Sequence, residues 1–288
     1  MFTGSIVAIV TPFINGKFDE DSYRELIELQ IAGGTSGIVP CGTTGEATTI
    51  NIDEHKKILN TTIDAVKGRI PVIAGSGSNN TKEAIELTIH AKEAGADATL
   101  QITPYYNKPT PEGLYQHFKA IAKAASLPQV LYNIPGRTGI NMLPPTVARM
   151  ADIPEVVAIK EASGNLSQMS ELMEYVGDRL IVICGDDNLT LPVLAIGAKG
   201  VISVTANIVP RMNADMIEAW NQGKFEKAKE LFYKLLPLAR AMFIETNPLP
   251  VKTALAIKGL VREEFRLPLV CMEKENRAKL AEVLKAYL

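Results

Sequence analysis

The chain has 288 residues, 47% of them apolar, and its 30 basic and 32 acidic side chains leave a formal net charge of -2. That is enough apolar material for a full core, and the near-neutral balance excludes a basic field that would gather nucleic acid or an anionic membrane surface. Three scattered cysteines, Cys41, Cys184 and Cys271, show no CxxC spacing, which argues against a disulfide framework and a zinc site and points to the cytoplasm.

The first apolar stretch, residues 6–10, is short, follows no positive region and runs into Thr11-Pro12, so it reads as a strand rather than a signal peptide or a membrane span. Similar β-rich runs lie at 5–10, 37–41, 71–74, 98–103, 130–132, 156–160, 181–184 and 201–204, eight in all. Between them the apolar period is helical: Tyr23, Leu26, Ile27 and Ile31 follow Asp21, and Ile58, Leu59, Ile63 and Val66 follow Asp53, with Gly33-Gly34 and Gly68 as stops. Repeated strand-helix units predict parallel strands joined by crossover helices, closed into a (β/α)8 TIM barrel over residues 1–223. An open doubly wound sheet is the alternative, but it calls for a Gly-rich phosphate turn after the first strand, where this chain has Thr11-Pro12-Phe13-Ile14-Asn15-Gly16. Residues 224–288 exceed one closing helix and carry helical periodicity in Leu231, Leu235 and Leu238, then in Leu280, Val283 and Leu284, which predicts a C-terminal helical appendage.

In such a barrel the chemistry sits at the carboxyl ends of the strands, so polar residues that end an apolar run are the candidates. Lys160 ends the run Val156-Val157-Ala158-Ile159-Lys160, and strict alternation puts Val156, Ala158 and Lys160 on one face. A lysine nucleophile must be neutral part of the time. Bringing one from about 10.4 to near 7 costs roughly 4 to 5 kcal/mol, within what desolvation in a barrel mouth supplies. A lysine paired with Glu161, or reaching out to water, is the structural alternative. One unit earlier Tyr132 also ends a strand, and two inward side chains on adjacent strands bring phenol and amine toward hydrogen-bonding distance for proton transfer; a buried structural tyrosine is the other reading. Arg137 stands in the following Pro-Gly turn, where its guanidinium can fork a carboxylate or simply face water. Gly42-Thr43-Thr44-Gly45-Glu46 offers amides and hydroxyls for a carboxylate, or a plain helix-capping turn. Gly75-Ser76-Gly77-Ser78-Asn79 offers similar amides, but without a Gly-Lys-Ser/Thr ending it is no phosphate loop. Gly185-Asp186-Asp187 resembles an acidic metal pair, yet His55, His90 and His117 fall in helical segments away from the strand ends, so no metal is expected.

Taken jointly, Gly42-Thr43-Thr44-Gly45-Glu46, Tyr105-Tyr106-Asn107-Lys108-Pro109, Tyr132-Asn133-Ile134-Pro135-Gly136-Arg137-Thr138-Gly139 and Ile159-Lys160-Glu161-Ala162-Ser163-Gly164 resemble the dihydrodipicolinate synthase family over nearly the whole chain. The resemblance implies that Lys160 forms an imine with pyruvate, that Tyr132, Thr43 and Tyr106 relay protons, and that Tyr106 reaches into a neighbouring subunit. It implies that Thr44 and the backbone at Ile202 hold the pyruvate carboxylate, with Gly185 beside the substrate. Arg137 would receive the carboxylate of L-aspartate 4-semialdehyde. The product would be (2S,4S)-4-hydroxy-2,3,4,5-tetrahydrodipicolinate, toward diaminopimelate and lysine, with no cofactor because the imine is the electron sink. It also implies a homotetramer built from two tight dimers.

Many members of that family are inhibited by lysine at the dimer interface. Thr48, His55, Asn79, Glu83 and Tyr105 fit such an effector site, but Ile52 and Ala47 replace the histidine and serine common in sensitive enzymes, so weak or absent inhibition is expected. A sialate or 2-keto-3-deoxy sugar acid aldolase would share Lys160 and Tyr132. Arg137 and the Thr43-Thr44 pair favour the synthase instead. A non-catalytic barrel that only senses an amino acid would have no use for Lys160 and Tyr132.

Overall fold

The computed structural model describes residues 2–287; Met1 and Leu288, the outer limits of the two regions expected above, lie outside them. Eight parallel strands run as β1 (Gly4–Ala8), β2 (Gly37–Val39), β3 (Ile73–Gly75), β4 (Ala98–Ile102), β5 (Gln129–Asn133), β6 (Val156–Glu161), β7 (Ile181–Cys184) and β8 (Gly200–Ser203). Their order is β2-β1-β8-β7-β6-β5-β4-β3, and one parallel bridge, Ile38 to Val72, joins the outer two into a barrel. All eight expected strands are present. Helices α1 (Glu20–Ala32), α2 (Ile52–Val66), α3 (Thr81–Ala94), α4 (Pro111–Ala125), α5 (Pro144–Met150), α6 (Leu166–Val176), α7 (Thr190–Ala195) and α8 (Pro210–Asn221) surround it.

The helix starts are set by side chains that accept otherwise unpaired amides. Asp19 accepts from Ser22 and Asn51 from Glu54, so α1 and α2 begin before Asp21 and Asp53, the residues expected to open them. Gly33 closes α1, and α2 ends at Lys67 and Gly68, both left-handed. A short antiparallel hairpin, Phe13–Ile14 with Lys17–Phe18, follows β1.

Inside the barrel, Ile6, Val39, Ile73, Leu100, Val130, Ala158, Ile183 and Ile202 interlock as one buried cluster beneath Tyr132. The alternation expected along β6 fails at one place. Gln129 pairs with Val156 but Val130 pairs with Ala158, so Val157 is the extra residue of a bulge. Val156 therefore packs outward among α4, α5 and α6 residues such as Ile121 and Val147, and Val157 turns against the inner layer. Ala158 and Ile159 keep the expected faces, inward and outward.

After α8 come α9 (Phe225–Ala241), α10 (Leu249–Ile257) and α11 (Lys274–Leu284). Leu231, Phe232 and Leu235 of α9 join the core under α7 and α8, while Leu238, Val251, Leu255, Leu280 and Leu284 join the one that contains Tyr23, Ile27 and Leu59. These helices thus extend the barrel's own core. Among the described residues no helix is long and apolar enough to cross a membrane.

Candidate active site

Lys160 and Tyr132 are direct register partners at the ends of β6 and β5, and both are almost fully buried. The bulge at Val157 lies below them, so both side chains face the barrel axis. The ammonium nitrogen of Lys160 lies 4.2 Å from the centre of the Tyr132 ring. This differs from the expected amine-to-phenol approach: the amine rests on the negative ring face, and among the described residues no hydrogen bond joins the two groups. A cleft around Lys160 is lined by Gly42, Thr43, Thr44, Tyr132, Arg137, Gly185, Asp186 and Val204, with Phe243 and Asn247 from the C-terminal region.

The Gly42–Glu46 turn leaves β2 through left-handed residues at both ends, Cys41 with φ 52° and Glu46 with φ 56°. Glu46 N donates to the Thr43 carbonyl, and the Thr11 hydroxyl donates to the Gly45 carbonyl at 2.7 Å. Gly45 packs so closely on Cys41 and the Ile9 carbonyl that a side chain would crowd both. Thr44 is buried, and its hydroxyl oxygen accepts from the Asn247 amide at 3.0 Å. The hydroxyl proton stays available for a second acceptor.

Arg137 sits in the single helical turn Pro135–Thr138 and donates to the Asn247 carbonyl at 2.9 Å, which fixes one arm of the fork at the cleft mouth. Gly185 follows β7, and a Cβ there would fall 2.6 Å from the Ala162 Cβ and 3.1 Å from Lys160 Cε. Ile202 is fully buried in the inner layer, two positions before Val204, which reaches the cleft. Tyr106 lies outside its own chain's cleft. It is 89% exposed with a left-handed backbone, φ 68°.

The two aspartates after Gly185 separate into different roles. Asp187 accepts from the Ser203 and Thr205 hydroxyls and the Val204 and Thr205 amides, so it anchors the turn after β8. Asp186 faces the cleft with one carboxylate oxygen buried and unpartnered; burial raises its pKa above the usual carboxylate range, opposed by the nearby charge of Lys160. Among the described residues no three His, Cys, Asp or Glu side chains gather to hold a metal.

A second cavity of about 400 Å³ shares Gly42, Thr43, Tyr132 and Arg137 with this cleft and extends to Ala47, Thr48, Ile52, His55, Glu83 and Tyr105. Asn79 borders it by donating to the Tyr105 carbonyl at 3.2 Å. The expectation that the histidines lie away from strand ends needs correction for His55: its ring meets the Gly75 carbonyl, the end of β3, at 2.7 Å. Burial holds that imidazole below its ordinary pKa. Gly75 and Gly77 admit no side chain, because a Cβ at either would fall 2.3 Å from backbone. That accounts for the glycines of the second turn by packing alone.

Asn247 and Phe243 were not legible as site residues, since they stand on the far side of the eighth unit. Their one signal is the Asn247-Pro248-Leu249-Pro250 string, whose prolines mark a constrained turn between helices.

The whole described chain also matches known proteins. The model of the dihydrodipicolinate synthetase family matches residues 1–287. The 4-hydroxy-tetrahydrodipicolinate synthase of Thermodesulfovibrio yellowstonii is 58% identical over 286 residues, covering 99% of this chain and 98% of that protein. The crystal structure of dihydrodipicolinate synthase from Aquifex aeolicus superposes with a TM-score of 0.97 at 48% identity, covering 99% of this chain and 98% of that one. A monomeric dihydrodipicolinate synthase variant superposes with a TM-score of 0.97 at 43% identity, covering 99% and 97%. With a full-length family match and relatives above half identity, this chain belongs to the dihydrodipicolinate synthetase family.

Proposed function

We propose that the chain is a lyase that condenses pyruvate with L-aspartate 4-semialdehyde to (2S,4S)-4-hydroxy-2,3,4,5-tetrahydrodipicolinate, in the diaminopimelate route to lysine. The observation that carries it is the buried Lys160 against Tyr132 in a cleft whose rim holds Thr44 and Arg137, one group for each of two carboxylates.

The neutral Lys160 amine attacks the pyruvate carbonyl carbon and loses water to give an imine. Loss of a methyl proton then gives an enamine, whose carbon attacks the aldehyde of the second substrate. The amine of that substrate next attacks the imine carbon, closes the ring and releases Lys160. Tyr132 and Thr43 line the cleft where these protons move and serve as the relay, with Tyr106 supplied by a second copy of the chain. Thr44 and the backbone around Ile202 hold the pyruvate carboxylate, Gly185 leaves room beside Lys160, and Arg137 takes the carboxylate of the aldehyde. No cofactor enters these steps.

The exposed Tyr106 fits an assembly of two tight dimers in the cytoplasm, with residues 1–223 as the catalytic barrel and 224–288 as its helical extension. Thr48, His55, Asn79, Glu83 and Tyr105 form an effector cavity for lysine in which Ile52 offers no hydrogen bond, so lysine inhibits weakly or not at all. A lysine titration checks this: half-inhibition well below millimolar concentration contradicts it. For the reaction itself, pyruvate-dependent consumption of L-aspartate 4-semialdehyde is the direct assay. Turnover of a sialic acid or a 2-keto-3-deoxy sugar acid in its place would overturn the substrate assignment.

A further inference from the structure

Lys252 on α10 and Glu46 at the end of the catalytic turn take no part in the reaction, yet they form the most deeply buried ion pair of the described residues. Both side chains are fully buried with nitrogen and oxygen 2.6 Å apart, whereas the next most buried pair, Arg266 with Glu54, keeps 19% and 17% exposure. Taking two charges out of water is costly, and an apolar pair of similar volume is commonly as stable or more so. Stability alone therefore gives no reason for this pair.

Its surroundings do. The Lys252 nitrogen lies 4.1 Å from the centre of the Phe13 ring and 5.2 Å from that of Phe265, so it is held between aromatic faces. Glu46 is the left-handed residue on which the Gly42–Glu46 turn ends, and its carbonyl accepts from both the amide and the hydroxyl of Thr49. Five positions before Lys252, Asn247 reaches the same turn through the Thr44 hydroxyl, while its carbonyl accepts from Arg137. One short segment thus grips the turn at two points and the mouth arginine at a third. The Asn247 amide occupies one lone pair of the Thr44 hydroxyl and leaves its proton free for an acceptor in the cleft that Thr44 lines.

We propose that the segment Asn247–Lys252 is a positioning clamp for the pyruvate carboxylate site, with the Lys252–Glu46 pair anchoring the turn and Asn247 aiming Thr44. Neither Lys252 nor Glu46 touches substrate; they act through Thr43 and Thr44. The inference rests on the carboxylate role given to Thr44 above.

The test uses the full-length protein in its native assembly. Glu46→Gln and Lys252→Met each leave a buried charge unpaired and lower stability and activity together. The double variant, Glu46→Gln with Lys252→Met, removes both charges, and its melting temperature returns close to that of the parent. The clamp predicts that this stable double variant still shows a pyruvate KM raised about ten-fold, with slower borohydride trapping of the pyruvate imine. A parental KM for pyruvate in that variant overturns the proposal. Should the double variant not fold, Asn247→Ala in a cycle with Thr44→Ala decides. If Asn247 works through Thr44, the two losses are strongly non-additive, and additive losses overturn the proposal. Parent protein that forms no pyruvate adduct at Lys160 would instead refute the underlying reading of the site.

Discussion

Gly185 leaves room beside Lys160 because it has no side chain. A Cβ at that position would meet the Ala162 Cβ at 2.6 Å and crowd Lys160 Cε at 3.1 Å. Gly185→Ala therefore displaces the lysine from its place over the Tyr132 ring. We expect kcat/KM to fall about ten- to hundred-fold, as a misplacement near 1 Å does, with only a modest change in melting temperature. Steady-state kinetics beside a thermal melt checks this, and unchanged kinetics would show that Lys160 tolerates the shift. Lys160, Tyr132 and Arg137 were legible in the sequence because each is a polar residue at or just past the end of an apolar run. Asp186 was visible only as half of an acidic pair, since no pattern tells a carboxylate that faces a cleft from one that anchors a turn. The four hydrogen bonds to Asp187 decide that question in three dimensions.

At the scale of elements, the strands were legible and their details less so. Val157 shows why: a bulge is set by how β5 and β6 meet, through pairs 27 and 28 positions apart, and alternation within β6 alone cannot register it. The helix starts shifted from Asp21 and Asp53 to Asp19 and Asn51 because a cap is the residue whose side chain turns back on the amides, and several polar residues compete for it. The contact between α3 and α4 carries a pH consequence. His117 is buried against the Phe118 ring, bonds Thr81 at 2.9 Å, and burial lowers its pKa from 6.5 to about 4. The unfolded chain takes up this proton near 6.5 and the folded chain only near 4, so between those values the unfolded state binds more protons. Stability from this residue is complete above pH 6.5 and falls as the pH drops through that window, by up to about 3 kcal/mol. Urea unfolding from pH 7 to 4.5 should show a shallower loss in His117→Gln than in the parent. Identical slopes would contradict this assignment. His55, also held below its ordinary value by burial, adds a loss of the same sign in both proteins.

For the molecule as a whole, the closed barrel and the helices beyond it act as one body. Leu238, Val251, Leu255, Leu280 and Leu284 lie in the same core as Tyr23 and Ile27, each contributing roughly 1.5–3 kcal/mol for a buried large apolar side chain. A chain ending at residue 223 exposes that face and also loses Asn247 and Lys252, so it should fail to give a cooperative thermal transition. A cooperative melt near the parent temperature would show the barrel to be independent. The number of units was legible from the repeated strand-helix pattern, whereas the reach of the last helices back to the mouth was not, because contacts such as Thr44 to Asn247 span 203 positions. In the proposed reaction this body presents Lys160 as an imine-forming amine. Borohydride reduction of the protein with pyruvate, followed by peptide mass mapping, tests it most directly. The predicted result is one reduced pyruvate adduct, on Lys160 and absent from Lys160→Ala; no adduct, or an adduct on another lysine, would contradict it.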